Sequence, residues 1–493
     1  MRTKISELTV VVLGVAAIVA AEFSIPTLFG ADGYLHIRMA EFLRLYGMRY
    51  DFHWARFSTF AQHFADKDFL YHVLLIPFTF LPNIFLGAKI SAALCASALF
   101  IVFWLMLRRY CQLKPLVIAS LVMFFCSAVF MDAILEARNM TLVIILTMLF
   151  VHWLIHKRYR LLFLVTLVYT LSHVSGPYLL LFAFLAEGVR FLNERDFSWR
   201  TIAAVTLGLV LGFLVHPNFP NNLLVFYLNG ILVPIFALKW GLELGAEFFP
   251  LSTREFVLGY PFIFIATLVL IVIGLGQKKK TSTAIQIWAV IAGYFFVFSF
   301  FSRRYLIHAY PLVLITAAGY ISEWWQPQGR AVFSSLRKVV RYCLIAAAVI
   351  SLAGALFIAY RDFRERTAGE TIYNQHFEGV GRWMERFVPS GEVIFHTNWS
   401  DSQYLIGLNP KNDYFVTLDP IYMYWQDPAR YKAYRNLAFG GAGDPYAVLK
   451  NEFGVTYGYA GKNYFSGLIN QIRQDLRFEI LGEDGLGVVF KLR

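Results

Sequence analysis

Apolar stretches near twenty residues long recur from Val10 to Tyr360, and they restrict the fold more than any motif does. A helix of that length crosses about 30 Å of hydrocarbon, where every backbone polar group must be satisfied internally. Of the 493 residues, 58% are hydrophobic and only 15% charged, with a mean hydropathy of +0.56, which soluble domains of this size do not reach. The chain reads as a polytopic α-helical membrane protein over residues 1–360, with a C-terminal soluble α/β domain over residues 361–493, where no such stretch occurs.

The formal charge of +12 raises the question of nucleic acid, but the basic residues form short clusters between apolar spans rather than one polar face, so no nucleic-acid partner is expected. They are Arg2 and Lys4; Arg108, Arg109 and Lys114; Lys157, Arg158 and Arg160; Arg190, Arg195 and Arg200; Lys278, Lys279 and Lys280; and Arg330, Arg337, Lys338 and Arg341. By the positive-inside rule all six clusters are cytoplasmic. The spans then fall near residues 8–29, 86–107, 115–134, 140–156, 161–173, 176–190, 201–216, 257–276, 282–301, 308–324 and 339–360. About eleven crossings put the N-terminus inside and the C-terminal domain outside, in the periplasm or extracellular space of a bacterial inner (plasma) membrane. The first run reaches Phe29 without an evident small-residue cleavage site and is read as a membrane helix, not a signal peptide. Four cysteines, Cys95, Cys111, Cys126 and Cys343, all in or beside apolar spans, argue against a disulfide framework.

Beyond Tyr360 the pattern predicts an amphipathic helix at Phe377–Phe387, strands at Glu392–His396 and Tyr414–Thr417, helices at Pro428–Leu437 and Tyr446–Phe453, and a closing strand pair ending at Lys491. Two outer stretches do not cross, residues 30–85 and about 217–256, and both suit helices lying at the interface.

Ionisable groups gather at the outer helix ends. The first outer loop opens Asp32-Gly-Tyr-Leu-His36-Ile-Arg38, and Asp66-Lys-Asp68 with His72 follows before the chain re-enters lipid. Asp132, Glu136, Arg138 and Asn139 follow the third span, His173 lies between the fifth and sixth, His216 and Asn218 follow the seventh, and Arg303, Arg304, Tyr305 and His308 follow the ninth. Singly, each reads as a cap, a solvated turn or a snorkelling side chain. Together they are what a membrane-embedded site for a charged lipid headgroup requires, since charge at that depth is costly unless used. Arg303, Arg304 and Arg138 are suited to a polyprenyl phosphate, which guanidinium binds bidentately, and Asp32 to taking the proton of an acceptor hydroxyl. The 48 Phe and 27 Tyr provide apolar and interfacial surface for a lipid tail.

The Asp at the start of the first loop, the Tyr/His/Arg-bearing helix after it and the second acidic motif Asp66-Lys-Asp68 resemble the GT-C superfamily of membrane glycosyltransferases. Its members include protein O-mannosyltransferases, aminoarabinose transferases and oligosaccharyltransferase catalytic subunits. The resemblance implies Asp32 as catalytic carboxylate with Asp66 and Asp68 assisting acceptor or metal binding. It implies Arg303-Arg304-Tyr305 at the donor phosphate; the gathering of outer helix ends adds Arg138 there and gives the substrate site His36, Arg38, His72, His173, His216 and His308. Asn398-Trp399-Ser400-Asp401-Ser402-Gln403-Tyr404 only loosely echoes the oligosaccharyltransferase signature, which favours a monosaccharide on polyprenyl (undecaprenyl) phosphate as donor.

The expected function is transfer of a hexosyl or pentosyl group from that donor to a glycan, lipid or protein acceptor of the cell envelope. The rivals are a ligase or polymerase using polyprenyl-diphosphate-linked glycans and a lipid-linked-sugar flippase. The flippase predicts mid-bilayer charges and paired broken helices, which the sequence does not display. Asp32, Asp66, Asp68, His36 and His72 offer ligands for Mg²⁺ or Mn²⁺, yet no spacing demands a metal. Trp399, Asp401, Tyr404, Asp419 and Tyr422 read as core or turn residues ahead of sugar-stacking ones.

Overall fold

The computed structural model describes residues 2–276, 281–325, 329–463 and 465–493. The Lys278–Lys280 cluster lies outside the described residues, and of Arg2 and Lys4 only the backbone is described, in the helix Arg2–Glu22.

Each apolar stretch named above is helical over most of its length, although the first, expected to reach Phe29, leaves the helix after Glu22. Among the described residues, three helices are each long and apolar enough to cross a membrane: Ile84–Tyr110, Arg304–Trp324 and Lys338–Phe387. Two more candidates are bent pairs, Lys114–Met123 with Ala128–Leu135 at 74° and Thr253–Gly259 with Pro261–Val272 at 89°. Met140–Ile155, Tyr159–Ser172, Trp199–Leu214 and Thr283–Phe298 are apolar but shorter.

The bends have local causes. Ser127 leaves the helix and its side chain accepts from Phe130 N, capping a new one. Asp132 consequently sits inside the second helix of that pair, not beyond the end of a single span. At the other bend Pro261 lacks the N–H needed to continue the preceding turn and begins a fresh helix.

The expected separate helix Phe377–Phe387 is instead the end of the 50-residue helix Lys338–Phe387. Past Tyr360 the polar segment keeps helical support from pairs such as Arg361 with Glu365, one turn apart at 3.8 Å. The helix stops where Pro389 and Gly391 follow, Gly391 taking φ +82°.

The chain divides into two compact units. One comprises residues 1–25, 92–212 and 246–368; the other comprises 26–91, 213–245 and 369–493. The second holds a five-stranded mixed sheet ordered β2-β1-β3-β5-β4, with β1 Val393–His396, β2 Asp413–Tyr414, β3 Tyr457–Gly461, β4 Phe478–Glu483 and β5 Gly487–Leu492. β1 runs parallel to β2 and β3, and β5 runs antiparallel to β3 and β4. All four residues of β1 are buried, as a parallel strand covered on both faces requires. The edge beyond β2 is covered by the first loop: Ala55 bridges Tyr414, Tyr414 N donates to Trp54 O at 2.7 Å, and Arg56 N donates to Tyr414 O at 3.1 Å.

Candidate functional site

The helix Asp32–Tyr46 carries Asp32 and His36 one turn apart, hence on the same face. It packs on the short helix Phe69–Leu75, which carries His72. It is fixed from the far side of the chain: Tyr34 donates to Glu378 Oε1 at 3.0 Å and Arg38 Nε to the Gly407 carbonyl at 3.0 Å. Gly407 is required for this approach, because a Cβ there would lie 2.7 Å from the backbone carbonyl of Tyr34.

The centre of the site is a buried chain of three side chains. His36 Nδ1 lies 2.7 Å from His72 Nε2, and His72 Nδ1 lies 2.6 Å from Asp66 Oδ2. Asp66 is held in turn by its own loop: its Oδ1 accepts from Asp68 N at 3.1 Å, its N donates to Asn218 Oδ1 at 3.3 Å, and His216 Nε2 lies 3.0 Å from its carbonyl oxygen. Burial pushes the His72 imidazole toward neutrality, but the hydrogen-bonded Asp66 carboxylate and nearby Asp68 overcome this and raise its pKa. Burial lifts the Asp68 carboxyl to about 6, against the pull of Lys67 and His72, with the charges of Asp66 and Asp32 adding to the rise. His216 moves the other way, its charged form disfavoured by burial. Asp32 is half-buried, whereas Asp66 and Asp68 are 3% and 4% exposed.

His36, Asp68 and His72 also form a possible ligand set, with donor atoms all within 4.8 Å of one another. The chemistry fits a divalent cation: His72 Nδ1 is oriented by Asp66, as ligating imidazoles usually are by a carboxylate, and its Nε2 faces the cluster. Two imidazoles and one carboxylate suit a borderline ion such as Zn²⁺ better than Mg²⁺, which prefers oxygen.

The structure thus brings together Asp32, His36, Asp66, Asp68, His72 and His216, all within the second unit. Arg38, expected at the substrate, is committed to the Gly407 carbonyl and to Glu41 and acts as a strut. Arg138, His173, Arg303, Arg304, Tyr305 and His308 belong to the first unit. There Arg138 pairs with Glu136 at 2.7 Å, Arg304 pairs with Glu247 at 2.8 Å and lies over the Phe248 ring, and His173 Nδ1 is 2.6 Å from Ser175 Oγ. Tyr305 packs its ring near Phe298, and the buried His308 stacks on Phe295 with its Nε2 3.1 Å from Met140 Sδ. Arg303 lines a cavity of about 700 Å³ that also carries Arg254 and Arg366 and has apolar walls including Leu258, Ala355 and Ile358. Neither Arg254 nor Arg303 has an ion-pair partner among the described residues.

In the C-terminal segment Asp401, Tyr404, Asp419 and Tyr422 are buried, in keeping with core and turn roles. Asp419 Oδ1 accepts from Ile421 N in a local turn, and Tyr404 donates to Asn374. Asn218, noted in the sequence but given no role, proves to be a support of Asp66. Glu378 was not singled out at all, and nothing local in the sequence marks a partner 344 residues from Tyr34.

No family model and no curated protein matches the chain. Among solved structures it is similar to the oligosaccharyltransferase of Archaeoglobus fulgidus in the apo form, at 12% identity over 92% of this chain and 69% of that chain, with a TM-score of 0.64. The archaeal oligosaccharyltransferase AglB from the same organism, in complex with an inhibitory peptide and a dolichol-phosphate, matches at 13% identity over 93% and 69%, with a TM-score of 0.62. ArnT from Cupriavidus metallidurans bound to undecaprenyl phosphate matches at 12% identity over 98% of both chains, with a TM-score of 0.59. At such identities the likeness speaks to architecture alone, and the fold of this chain is the one these solved structures share.

Proposed function

We propose that this protein is a glycosyltransferase that moves a sugar from a polyprenyl-phosphate donor to an acceptor hydroxyl at the outer face of the membrane, with Asp32 as general base. The observation that carries the reading is the gathering of Asp32, His36, Asp66, Asp68 and His72 from two helices and the loop between them. Residues with no shared chemistry have no reason to place three carboxylates and two imidazoles around one point, where like charges repel. AglB with a dolichol-phosphate and ArnT with undecaprenyl phosphate support the class of donor.

Asp32 is the least buried carboxylate of the group and so the one open to an acceptor. As the acceptor oxygen bonds to the anomeric carbon its proton passes to Asp32, and the bond to the phosphate oxygen breaks with its electron pair leaving on polyprenyl phosphate. Asp66 keeps His72 oriented, and His72 orients His36. A divalent cation held by His36, Asp68 and His72 would take the place of the His36–His72 hydrogen bond and supply positive charge at the site. Arg303 and Arg304, with Arg138 and Tyr305, are assigned to the donor phosphate. The cavity beside Arg303 supports the assignment for Arg303 itself, since apolar walls with the guanidinium groups of Arg254 and Arg303 outside any ion pair among the described residues match a lipid phosphate.

The test is release of free polyprenyl phosphate from polyprenyl-phosphate sugars by the protein in membranes. Asp32→Asn is expected to lower turnover by about 10²–10⁴-fold while donor binding persists. Undiminished turnover would remove Asp32 as base, and a wild type inert toward every such donor would overturn the glycosyltransferase reading.

A further inference from the structure

Next to the Asp66 loop the second unit has an open cavity of about 220 Å³ that the proposed chemistry does not use. Its polar lining is Arg49, Asp51, Gln62, Asn218 and Asn221. The side chains of Arg49, Asp51 and Gln62 are exposed and have no hydrogen-bond or ion-pair partner among the described residues. They therefore present to the cavity one set of guanidinium donors, one set of carboxylate acceptors and an amide that is both. One cation and one anion leave the lining without excess charge.

The apolar part of the lining is aromatic. Phe52 and Phe64 stack at 4.9 Å with planes 16° apart, Tyr50 tilts against Phe64 at 5.3 Å, and the exposed Phe219 forms a further wall. One cation, one anion, amides and the exposed Phe219 ring in one shallow cavity are the complement of a neutral sugar. Its hydroxyls donate and accept on every side, and a C–H face can lie on the Phe219 ring above the buried aromatic floor. A phosphorylated or acidic ligand would find no surplus positive charge there.

The cavity is joined to the candidate site by two residues. Asn218, in its lining, accepts from the backbone of Asp66, and Asn221 donates to the carbonyl of Phe64, two residues before Asp66, at 3.3 Å. We infer that this cavity is the acceptor subsite and that the acceptor is a neutral saccharide. Its role as acceptor subsite rests on the glycosyltransferase reading; its affinity for saccharides does not.

The experiment is ligand-observed NMR on the full chain in lipid nanodiscs, with glucose, mannose, galactose, arabinose and disaccharides of each as probes. Saturation transfer to the ring protons of at least one probe is expected. Two variants at exposed positions, Gln62→Ala and the cavity-filling Ala61→Trp, are each expected to raise its Kd at least tenfold, with thermal melting unchanged as the folding control. Absence of binding by every saccharide, or binding undiminished in both variants, overturns the inference. The readout requires no turnover. Saccharide binding by a protein inert toward all donors would sink the glycosyltransferase reading alone, and donor turnover without saccharide binding would sink this inference alone.

Discussion

Asp401 is the most perturbed carboxyl described in the C-terminal segment: it is 3% exposed, and burial raises its pKa from 3.8 to about 8, only partly opposed by a hydrogen bond from Tyr373. The folded chain holds the neutral acid, whereas the unfolded chain releases the proton near its ordinary value. The stability this group contributes is therefore full below about pH 4 and lost progressively as pH rises toward 8. Asp401→Asn mimics the neutral acid and can still accept from Tyr373. Melting curves between pH 5 and 8 should show the variant gaining on the wild type as pH rises; a constant difference between the two would mean that Asp401 does not titrate there. At this scale much was legible. Asp66, Asp68 and His72 lie within seven residues of one another, so their proximity follows from the sequence, and Asp401 among its aromatics already read as core. The partnership of His36 with His72 was not legible, since 36 residues separate them and only packing of two helices joins them.

Between elements, the decisive approach is that of helix Asp401–Leu408 to helix Asp32–Tyr46. Gly407→Ala would set a methyl 2.7 Å from the Tyr34 carbonyl, against backbone that can yield only by moving the helix that bears Asp32 and His36. Overpacking of this kind costs about 1–3 kcal/mol, and here it also displaces the site, so both melting temperature and donor turnover should fall. Gly379→Ala is the internal comparison. Nothing lies within 4 Å of a Cβ there, and inside the helix Lys338–Phe387 the change should stabilise by about 0.4–1 kcal/mol with turnover kept. Equal losses in the two variants would remove close approach as the cause. Helix existence was readable from apolar run length, because burial in lipid is a local property of composition. Helix ends were not: the bend before Ser127 and the continuation of Lys338–Phe387 past Tyr360 depend on a cap and on polar helical pairs, which hydropathy does not register.

For the molecule as a whole, the boundary at residue 360 marks where apolar spans end, but the second unit draws on three separate segments, residues 26–91, 213–245 and 369–493. Hydropathy is read along the chain, so it carries no trace of a first loop that pairs with a strand some 360 residues later. That pairing is extensive. Besides the Ala55–Tyr414 bridge, Thr59 N and Oγ1 both donate to the Tyr422 carbonyl at 3.0 and 2.7 Å, Trp54 Nε1 donates to the Pro410 carbonyl at 2.5 Å, and Phe60 packs on the Tyr422 ring. Each backbone group so engaged would be left for water to satisfy if residues 388–493 were absent, and Gly407 would no longer seat the helix Asp32–Tyr46. A chain truncated after Phe387 keeps the helices Ile84–Tyr110, Arg304–Trp324 and Lys338–Phe387, which are long enough to cross a membrane, together with Asp32, His36, Asp66, Asp68 and His72. It should insert into membranes and yet lose donor turnover, and residues 50–63 should become open to proteolysis under conditions in which the full chain resists. Turnover and protease resistance both preserved in the truncated chain would mean that the first loop holds its geometry unaided, and that the C-terminal segment serves something other than the support of the site.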